Sequence, residues 1–307
     1  MDTVISVENL SKTYGPVVAV DDVSFDVHRG EIFGILGSNG AGKTTTVEIL
    51  QGLRARTGGS VEVLGRDPGR ETDQLRRQVG SQLQSAALPD RLRVVEAIRL
   101  FGRLHDEPVD VDGTIEAWDL ERLRNRPFGV LSGGERQRLF VALALLGDPE
   151  VVLLDELTTG LDPGARRATW DLVRRVRDRG TTVVLVTHFM DEAEVLCDRV
   201  AVMTRGRIVA CDTPRALTAR QGGPVTITFG RADGHDPQSL LAVPGVQSVT
   251  VNDGQVFVAG QSTAAAGVAA ALAGDGVMPD DYRTHYPSLE DVFLALTGHR
   301  PSDGDPS

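Results

Sequence analysis

The chain has 307 residues, of which 41% are hydrophobic and 24% are charged, a composition that is typical of soluble globular proteins. Its formal net charge of −11 argues against a broad nucleic-acid-binding surface, which needs clustered basic residues. The two cysteines have no metal-ligand spacing, and no apolar run reaches the roughly 18 residues of a membrane-spanning helix. The length fits one large domain or two ordinary ones.

Alternating hydrophobic residues predict two antiparallel strands near the start of the chain, at residues 4–10 and 21–27. A turn at Arg29-Gly30 then leads into an apolar run over residues 31–36, which is typical of a buried strand. A helix is predicted from Thr44 to Leu53. The sequence therefore predicts a small antiparallel sheet, a first buried strand and a helix that follows it closely.

The loop between this strand and this helix fits the phosphate-binding pattern G-x-x-x-x-G-K-[ST]. Its residues are Gly37, Ser38, Asn39, Gly40, Ala41, Gly42, Lys43, Thr44 and Thr45. Main-chain N–H groups and a helix N-terminus hold polyphosphate in such loops. The pattern predicts nucleotide binding, with Lys43 on the β- and γ-phosphates and Thr44 on Mg²⁺. The alternative is a glycine-rich turn that contains a lysine by chance.

The next part of the chain alternates predicted strands and helices. Strands are expected at residues 58–65 and 79–84, with a helix at 67–77 between them. Residues 85–130 repeat apolar side chains at helical spacing over 94–104 and 111–123, which predicts an inserted helical lobe. A helix from Ser132 to Leu146 follows the lobe.

A second candidate nucleotide element is the buried strand Val151–Leu154, which ends in Asp155 and Glu156. Ligands of parallel sheets lie at the carboxyl ends of the strands. Asp155 is therefore expected to hold Mg²⁺, and Glu156 to accept a proton from the attacking water. An acidic pair that merely caps a strand is the alternative.

The remaining pattern predicts helices at 163–179 and 190–196, a strand at 181–186 and a hairpin of 199–203 with 207–210. Strands that alternate with helices indicate an α/β fold with a largely parallel sheet. We expect this first domain to span residues 1–220.

A second, smaller domain is predicted for residues 221–298, with residues 299–307 as a disordered tail. Its strands are expected at 225–229, 246–251, 255–259 and about 277–283, and its helices at 237–242, 262–273 and 288–297. The order β-α-β-β-α-β predicts an α+β, ferredoxin-like module.

The stretch from Leu131 to Gln137 resembles the signature of the ATP-binding-cassette (ABC) ATPases. In that family, Ser132, Gly133 and Gly134 would face the γ-phosphate held by the phosphate loop of a second cassette. The resemblance covers about residues 3–213. It implies an ABC-type P-loop ATPase core with a mixed sheet, an antiparallel β subdomain and a helical lobe.

Further positions are assigned by the same resemblance. Tyr14 matches the aromatic residue that stacks on adenine, and Asp162 matches an aspartate that reaches across the dimer. His188 matches a histidine that contacts the γ-phosphate. Gln84 matches a glutamine that contacts Mg²⁺, although Gln82 is a competing assignment.

Two residues depart from the family pattern. Ser38 stands where proline is common in the phosphate loop, which is tolerable because that position offers main-chain contacts. Leu157 stands where proline usually follows the catalytic glutamate. The second departure is expected to affect the turn between Glu156 and Asp162, and with it the hydrolysis rate.

Residues 187–194 look like the matching run of bacterial drug and antibiotic exporters whose membrane subunit is a separate chain. Residues 288–298 resemble the C-terminal segment of the daunorubicin-resistance (ABC-2) type of exporter ATPase. The resemblance implies an ATPase subunit on the cytoplasmic face of the cell membrane. Its expected partners are a second cassette, either itself or a related chain, and a separately encoded multi-span permease. A soluble ABC ATPase that acts on ribosomes or nucleic acid is the alternative, which the acidic charge and the single cassette disfavour.

Overall fold

A computed structural model describes residues 2–82, 87–105, 108–231 and 235–297. Within those ranges, the strands are β1 (Thr3–Tyr14), β2 (Val17–His28), β3 (Ile32–Leu36), β4 (Gly58–Val63), β5 (Val79–Gln82), β6 (Val151–Asp155), β7 (Thr182–Thr187), β8 (Arg199–Thr204), β9 (Arg207–Asp212), β10 (Val225–Gly230), β11 (Val246–Asn252), β12 (Gln255–Gly260) and β13 (Arg283–His285). The α-helices are α1 (Lys43–Leu50), α2 (Thr72–Gln78), α3 (Val94–Gly102), α4 (Val111–Ala117), α5 (Gly133–Ala144), α6 (Pro163–Asp178), α7 (Met190–Leu196), α8 (Pro214–Gln221), α9 (Ala264–Gly274) and α10 (Leu289–Thr297). Short 3-10 helices occur at Glu121–Leu123, Phe128–Val130 and Pro237–Ala242.

The described residues divide into two compact units at Pro214 and Arg215. Helix α8 begins at this division, and the sequence pattern had not predicted it although proline is common in the first turn of a helix. The predicted domain limits of 1–220 and 221–298 place the boundary a few residues later and stay predictions. The predicted disordered tail at 299–307 lies outside the described residues.

The antiparallel sheet of the first unit has the strand order β2-β1-β4. Strands β1 and β2 pair as predicted, with Ile5 opposite Val27 and Val7 opposite Phe25. The inward-facing side chains of this sheet share one apolar core with α1 and with residues of the second sheet such as Phe33 and Val184. This shared core fixes the antiparallel sheet against α1, the helix that follows the phosphate loop.

The second sheet has six strands in the order β5-β6-β7-β3-β8-β9, and all neighbours are parallel except the β8–β9 hairpin. Strands β3, β6 and β7 are buried along their whole length, which explains their continuous apolar sequences. Because these strands are adjacent and parallel, their carboxyl ends lie at one edge of the sheet. That edge carries the phosphate loop, Asp155 and Thr187.

The helical lobe contains α3, α4 and two of the 3-10 helices. The pattern at 111–123 predicted one helix, but α4 ends at Ala117 and Asp119 takes a left-handed conformation with φ of +52°. A left-handed residue cannot continue an α-helix, so the chain turns and resumes as the 3-10 helix at Glu121. Leu120 and Ile115 are nevertheless buried, because the break keeps both on the apolar side.

The second unit has a sheet in the order β11-β12-β10-β13, and all of its strand pairs are antiparallel. Its elements follow the predicted β-α-β-β-α-β order, with the first helix formed as the 3-10 helix Pro237–Ala242. Its apolar core includes Ile227, Phe229 and Val258. The classification of this unit as ferredoxin-like stays a prediction.

The strand predicted at 277–283 is wrong in its position, because β13 covers only Arg283–His285. The main-chain N–H of Val277 closes helix α9 by donating to Leu272 O at 2.9 Å. Asp281 then accepts a hydrogen bond from the main-chain N–H of Gly230 at 2.8 Å. These polar contacts hold residues before 283 in a turn.

Among the described helices, none combines the length and apolar character that crossing a membrane requires.

Candidate nucleotide-binding site

The phosphate loop runs from the end of β3 to Lys43, the first residue of α1, and two of its glycines leave no room for a side chain. A Cβ atom at Gly37 would lie 2.3 Å from the main-chain oxygen of Met203 in β8. A Cβ atom at Gly42 would lie 2.4 Å from the main-chain oxygen of Ala19, and Gly42 has a φ of +100°. The loop is therefore pressed against the backbones of two strands, which only glycine allows.

Lys43 is buried inside the loop, and its Nζ donates hydrogen bonds to Gly37 O at 2.8 Å and Ser38 O at 3.0 Å. Burial lowers the pKa of Lys43, while the nearby carboxylates of Glu156 and Asp155 oppose that shift. The effect of these carboxylate charges on Lys43 indicates that the predicted lysine and the two predicted carboxylates lie in one site.

Asp155 is the last residue of β6 and is 3% exposed. Burial, helped by the charge of Glu156, raises the pKa of Asp155 to about 6, against the opposing charge of Lys43. Its Oδ1 atom is buried and has no hydrogen-bond partner among the described residues. A buried carboxylate oxygen without a donor is costly unless it binds a cation, so the residue fits a Mg²⁺ ligand.

Glu156 follows directly and has a φ of +50°, in the sparsely populated left-handed region. Its main-chain N–H donates to Val186 O in β7 at 2.9 Å, which holds this conformation in place. The turn points the Glu156 side chain toward His188, whose Nδ1 lies 3.1 Å from Glu156 Oε1. Leu157, which replaces the expected proline, is fully buried.

His188 is the first residue after β7 and is partly buried. The adjacent parallel pairing of β6 with β7, which sets Asp155 opposite Val186, brings the two chain segments together. The pair Glu156 and His188 supplies one carboxylate and one imidazole within hydrogen-bond distance. Such a pair can accept and hold a proton next to a bound phosphate.

The signature forms the N-terminus of α5, as expected. Ser132 Oγ accepts the main-chain N–H of Glu135 at 3.3 Å, and Glu135 Oε2 accepts the N–H of Ser132 at 2.8 Å. This reciprocal capping box orients the first turn of α5. The role of Glu135 was not predicted, although the S-x-x-E spacing of a capping box is present in the sequence.

The signature glycines lie against the start of α6. A Cβ atom at Gly133 would lie 2.9 Å from Leu161 Cδ2, and one at Gly134 would lie 3.1 Å from Ala165 Cβ. Asp162 caps α6 by accepting the main-chain N–H groups of Gly164 and Ala165. Within the described ranges, no hydrogen bond or ion pair joins Ser132 to the phosphate loop.

Tyr14 ends β1 and is 38% exposed. Its ring lies beneath two cations, at 4.9 Å from Lys12 Nζ and 5.4 Å from Arg54 Cζ. An exposed ring with this setting can stack on a planar base, but the structure does not test that role. Gln84 lies outside the described residues, and the competing Gln82 is a buried residue at the end of β5.

Comparisons with known proteins bear directly on this site. A family model described as ABC transporter matches residues 20–159, which include the phosphate loop and Glu156. A daunorubicin resistance ATP-binding protein of Streptomyces coeruleorubidus is 38% identical, over 97% of this chain and 96% of its own. The chain belongs to the ABC transporter family. It is an ATP-binding subunit of the exporter type and an ATPase.

Two further similarities support this assignment. A Nod factor export ATP-binding protein of Ralstonia nicotianae is 37% identical, over 98% of this chain and 95% of its own. A solved structure of an ATP-binding subunit of an ABC transporter superposes with a TM-score of 0.63 at 28% identity, covering 70% of this chain and 92% of that one. These comparisons confirm the predicted ABC fold and ATP as the nucleotide.

Proposed function

We propose that the protein binds ATP·Mg²⁺ and hydrolyses it to drive export of a drug-like or other compound through a separate membrane permease. The observation that carries this proposal is the meeting of Lys43, Asp155, Glu156 and His188 at one edge of the parallel sheet. The similarity to drug and Nod factor export proteins supports export as the direction of transport.

Residues of the loop would hold the nucleotide. The main-chain N–H groups from Gly37 to Thr45 and the N-terminus of α1 would bind the phosphates, with Lys43 as their counter-charge. Thr44 and Asp155 would hold Mg²⁺, which neutralises phosphate charge during hydrolysis. The unpartnered Oδ1 atom of Asp155 supports this role. Gln84 as a further Mg²⁺ contact, and Tyr14 as the adenine platform, stay predictions.

Glu156 would accept a proton from the attacking water, and His188 would hold the γ-phosphate and steady the carboxylate. The 3.1 Å contact between these two side chains supports the pairing. Once Glu156 has accepted the proton, the imidazole of His188 is placed to form a hydrogen bond with the protonated carboxyl group. Both side chains are partly or fully shielded from solvent, which strengthens their interaction with charge.

Two cassettes would assemble head to tail around ATP. Ser132, Gly133 and Gly134 of one chain would bind the γ-phosphate held by the other chain, and Asp162 would reach across the same interface. This arrangement is supported by the resemblance of residues 131–137 to the ABC signature and by the lack, among the described residues, of a hydrogen bond or ion pair between Ser132 and the phosphate loop of the same chain. The second cassette is a copy of this chain or a related one.

The Glu156→Gln variant tests the proposed chemistry. We expect it to bind ATP·Mg²⁺ and to accumulate as a dimer, while phosphate release falls by a factor on the order of 10² or more, since the amide cannot accept the proton. The measurements are ATP affinity, size by gel filtration and phosphate release. Glu116→Gln, on the exposed side of α4, is the matched control and should behave as wild type. Sustained turnover by Glu156→Gln would sink the general-base assignment.

The permease and the location at the cytoplasmic face of the membrane need a separate test. Tagged Glu156→Gln protein would be captured from detergent-solubilised native membranes in the presence of ATP·Mg²⁺. A multi-span protein in stoichiometric amount is the expected result. Ribosomal proteins or nucleic acid without a membrane protein would contradict the exporter proposal and leave only the ATPase.

A further inference from the structure

Helix α6 contacts the segment that carries His188 through Arg166. The Arg166 guanidinium carbon lies 4.5 Å from the centre of the Phe189 ring. The same side chain forms an ion pair with Asp191, with 3.3 Å between Arg166 Nη1 and Asp191 Oδ2. Arg166 is 26% exposed, so both contacts are partly shielded from water. Phe189 is thus held from one side by a fixed cation.

Phe189 also contacts the histidine of the proposed hydrolysis site. The ring centres of His188 and Phe189 are 4.1 Å apart, at an angle of 39°. The main-chain N–H of Phe189 donates to Thr187 Oγ1 at 3.0 Å, which fixes the backbone next to the histidine. Arg166, Phe189, His188 and Glu156 therefore form one continuous series of contacts, ending in the 3.1 Å pair of His188 and Glu156.

A second contact between α6 and α7 helps to fix the position of Arg166 relative to Phe189. One turn beyond Arg166, the indole N–H of Trp170 donates to Glu192 Oε1 at 3.2 Å. Glu192 is only 1% exposed, so it cannot exchange this donor for water. Because Arg166 and Trp170 are four residues apart, they lie on one face of α6. Through these two side chains, that face of α6 binds both Asp191 and Glu192 in the first turn of α7.

The start of α6 is also the surface on which the signature rests. Gly134 lies so close to Ala165 that an added Cβ would be 3.1 Å from the alanine Cβ. Arg166 is the next residue, and its main-chain N–H donates to Asp162 O in the first helical turn. One rigid helix therefore contacts the signature at its N-terminus and the histidine segment one residue later.

We propose that Arg166 and Phe189 are positioning residues that hold the His188 imidazole against Glu156. This inference rests on the proposed roles of His188 and Glu156 in hydrolysis. Neither residue needs to touch ATP, because the guanidinium fixes the Phe189 ring and the ring fixes the imidazole. Removing the guanidinium leaves the Phe189 ring free to move, and the imidazole loses the surface that orients it.

Three variants test the proposal. Arg166→Ala removes the cation, Phe189→Leu removes the ring, and Arg166→Lys restores a charge that can lie over the ring and pair with Asp191. Arg167→Ala is the matched control, since Arg167 is the adjacent arginine on α6 and its side chain is exposed. We expect kcat to fall on the order of tenfold in the first two variants, with KM for ATP unchanged, because a small displacement of a catalytic group costs rate. Arg166→Lys should keep part of the wild-type kcat that Arg166→Ala loses. The control Arg167→Ala should keep the full wild-type kcat.

A readout without turnover separates this proposal from the proposed function. In histidine-labelled protein without nucleotide, the ring-proton NMR signals of His188, assigned with His188→Gln, should shift in Arg166→Ala and stay in place in Arg167→Ala. If the His188 signal shifts in Arg166→Ala at unchanged thermal stability, the positioning role holds, whatever the ATPase measurements show. If wild type and Glu156→Gln then hydrolyse ATP at the same rate, the proposed hydrolysis site is wrong although the positioning role stands. An unmoved signal, or a fall in kcat matched by loss of thermal stability and a higher KM, would overturn the positioning role.

Discussion

Gly37 illustrates how the backbone around the phosphate loop limits single residues. Its φ lies outside the left-handed region, so alanine is conformationally allowed at this position. The obstacle is the main-chain oxygen of Met203, which would lie 2.3 Å from an added methyl carbon. A backbone atom in a central strand cannot rotate away as a side chain does, so the loop itself would have to move.

We therefore expect Gly37→Ala to lower the free energy of unfolding by about 1–3 kcal/mol, the usual cost of overpacking, and to weaken ATP binding. Urea unfolding and titration with a fluorescent ATP analogue measure the two effects. Gly58→Ala in β4 is the control, since its added Cβ would lie 3.8 Å from Ser11 Cβ, an ordinary contact. Equal stability of Gly37→Ala and wild type would contradict the steric argument.

Residue identities in the site were predictable where the chemistry depends on local spacing. The phosphate loop, Asp155 and Glu156 each belong to a short run whose strand and helix context is visible in the sequence. The stack of Arg166 on Phe189 was not predictable, because it joins a residue of α6 to the residue that precedes α7. Only the folded packing of α6 on α7 shows that these side chains meet.

At the scale of elements, the connection from β4 to α2 shows why the helix predicted at 67–77 begins later. Asp67 does not start a helix, because its carboxylate accepts two hydrogen bonds from Arg56, both at 2.8 Å, and one from Gly69 N at 2.9 Å. The chain stays in a turn until α2 begins at Thr72. Polar residues such as these favour turns as strongly as helices, so composition alone misplaced the helix start.

The same contacts predict a pH-dependent contribution to stability. The two hydrogen bonds from Arg56 lower the pKa of Asp67 to about 2 in the folded protein, against an ordinary value of 3.8. A carboxyl with a lowered folded-state pKa stabilises the protein above its unfolded pKa, and this contribution is lost as the pH falls through the folded value. We expect it to be complete above about pH 5 and to vanish near pH 1.

Asp67→Asn should therefore destabilise the protein by about 1 kcal/mol at pH 7, a figure reduced for partial solvent screening. The difference from wild type should shrink between pH 4 and pH 2.5 in urea unfolding series. Asp112→Asn is the control, because Asp112 also pairs with an arginine, at 2.6 Å from Arg124, yet its side chain is 74% exposed. A difference that is constant across this pH range would refute the linkage.

At the scale of the whole molecule, the sequence carries one phosphate loop and one signature, which we propose to act on each other across a dimer. In a two-fold symmetric dimer, a contact between the loop of one chain and the signature of its partner is repeated in the opposite direction, so two composite sites form together. This arrangement can be tested with variants that are each inactive alone. Lys43→Ala disables the phosphate loop, and Gly134→Asp disables the signature.

An equal mixture of these two variants should regain ATPase activity. The heterodimer holds one intact site, built from the loop of the Gly134→Asp chain and the signature of the Lys43→Ala chain. We expect roughly a quarter of wild-type activity, because half of the dimers are heterodimers and half of their sites are intact. Lys43→Ala mixed with the double variant has no intact loop and serves as the control. No recovery in the first mixture, with dimers formed, would contradict composite sites.

Sequence and structure agree best at this scale for the first unit, because βα alternation and the strand–loop–helix motif restrict the topology. The second unit was harder to place in detail. The position of β13 depends on the polar turn at Asp281, which competes with the apolar character of Val277 and Met278. The break after α4 likewise depends on Asp119, whose left-handed conformation no periodic pattern announces.

The left-handed backbone at Glu156 has an evolutionary consequence. Glutamate adopts this conformation less readily than glycine, asparagine or aspartate, so the position gives up stability on the order of 1 kcal/mol. We expect a laboratory selection for folding stability alone to replace glutamate at this position and to yield stable proteins with little ATPase activity. Stabilised descendants of this chain should therefore be screened for turnover at every round, since one available gain in stability lies at the residue that we propose as the general base.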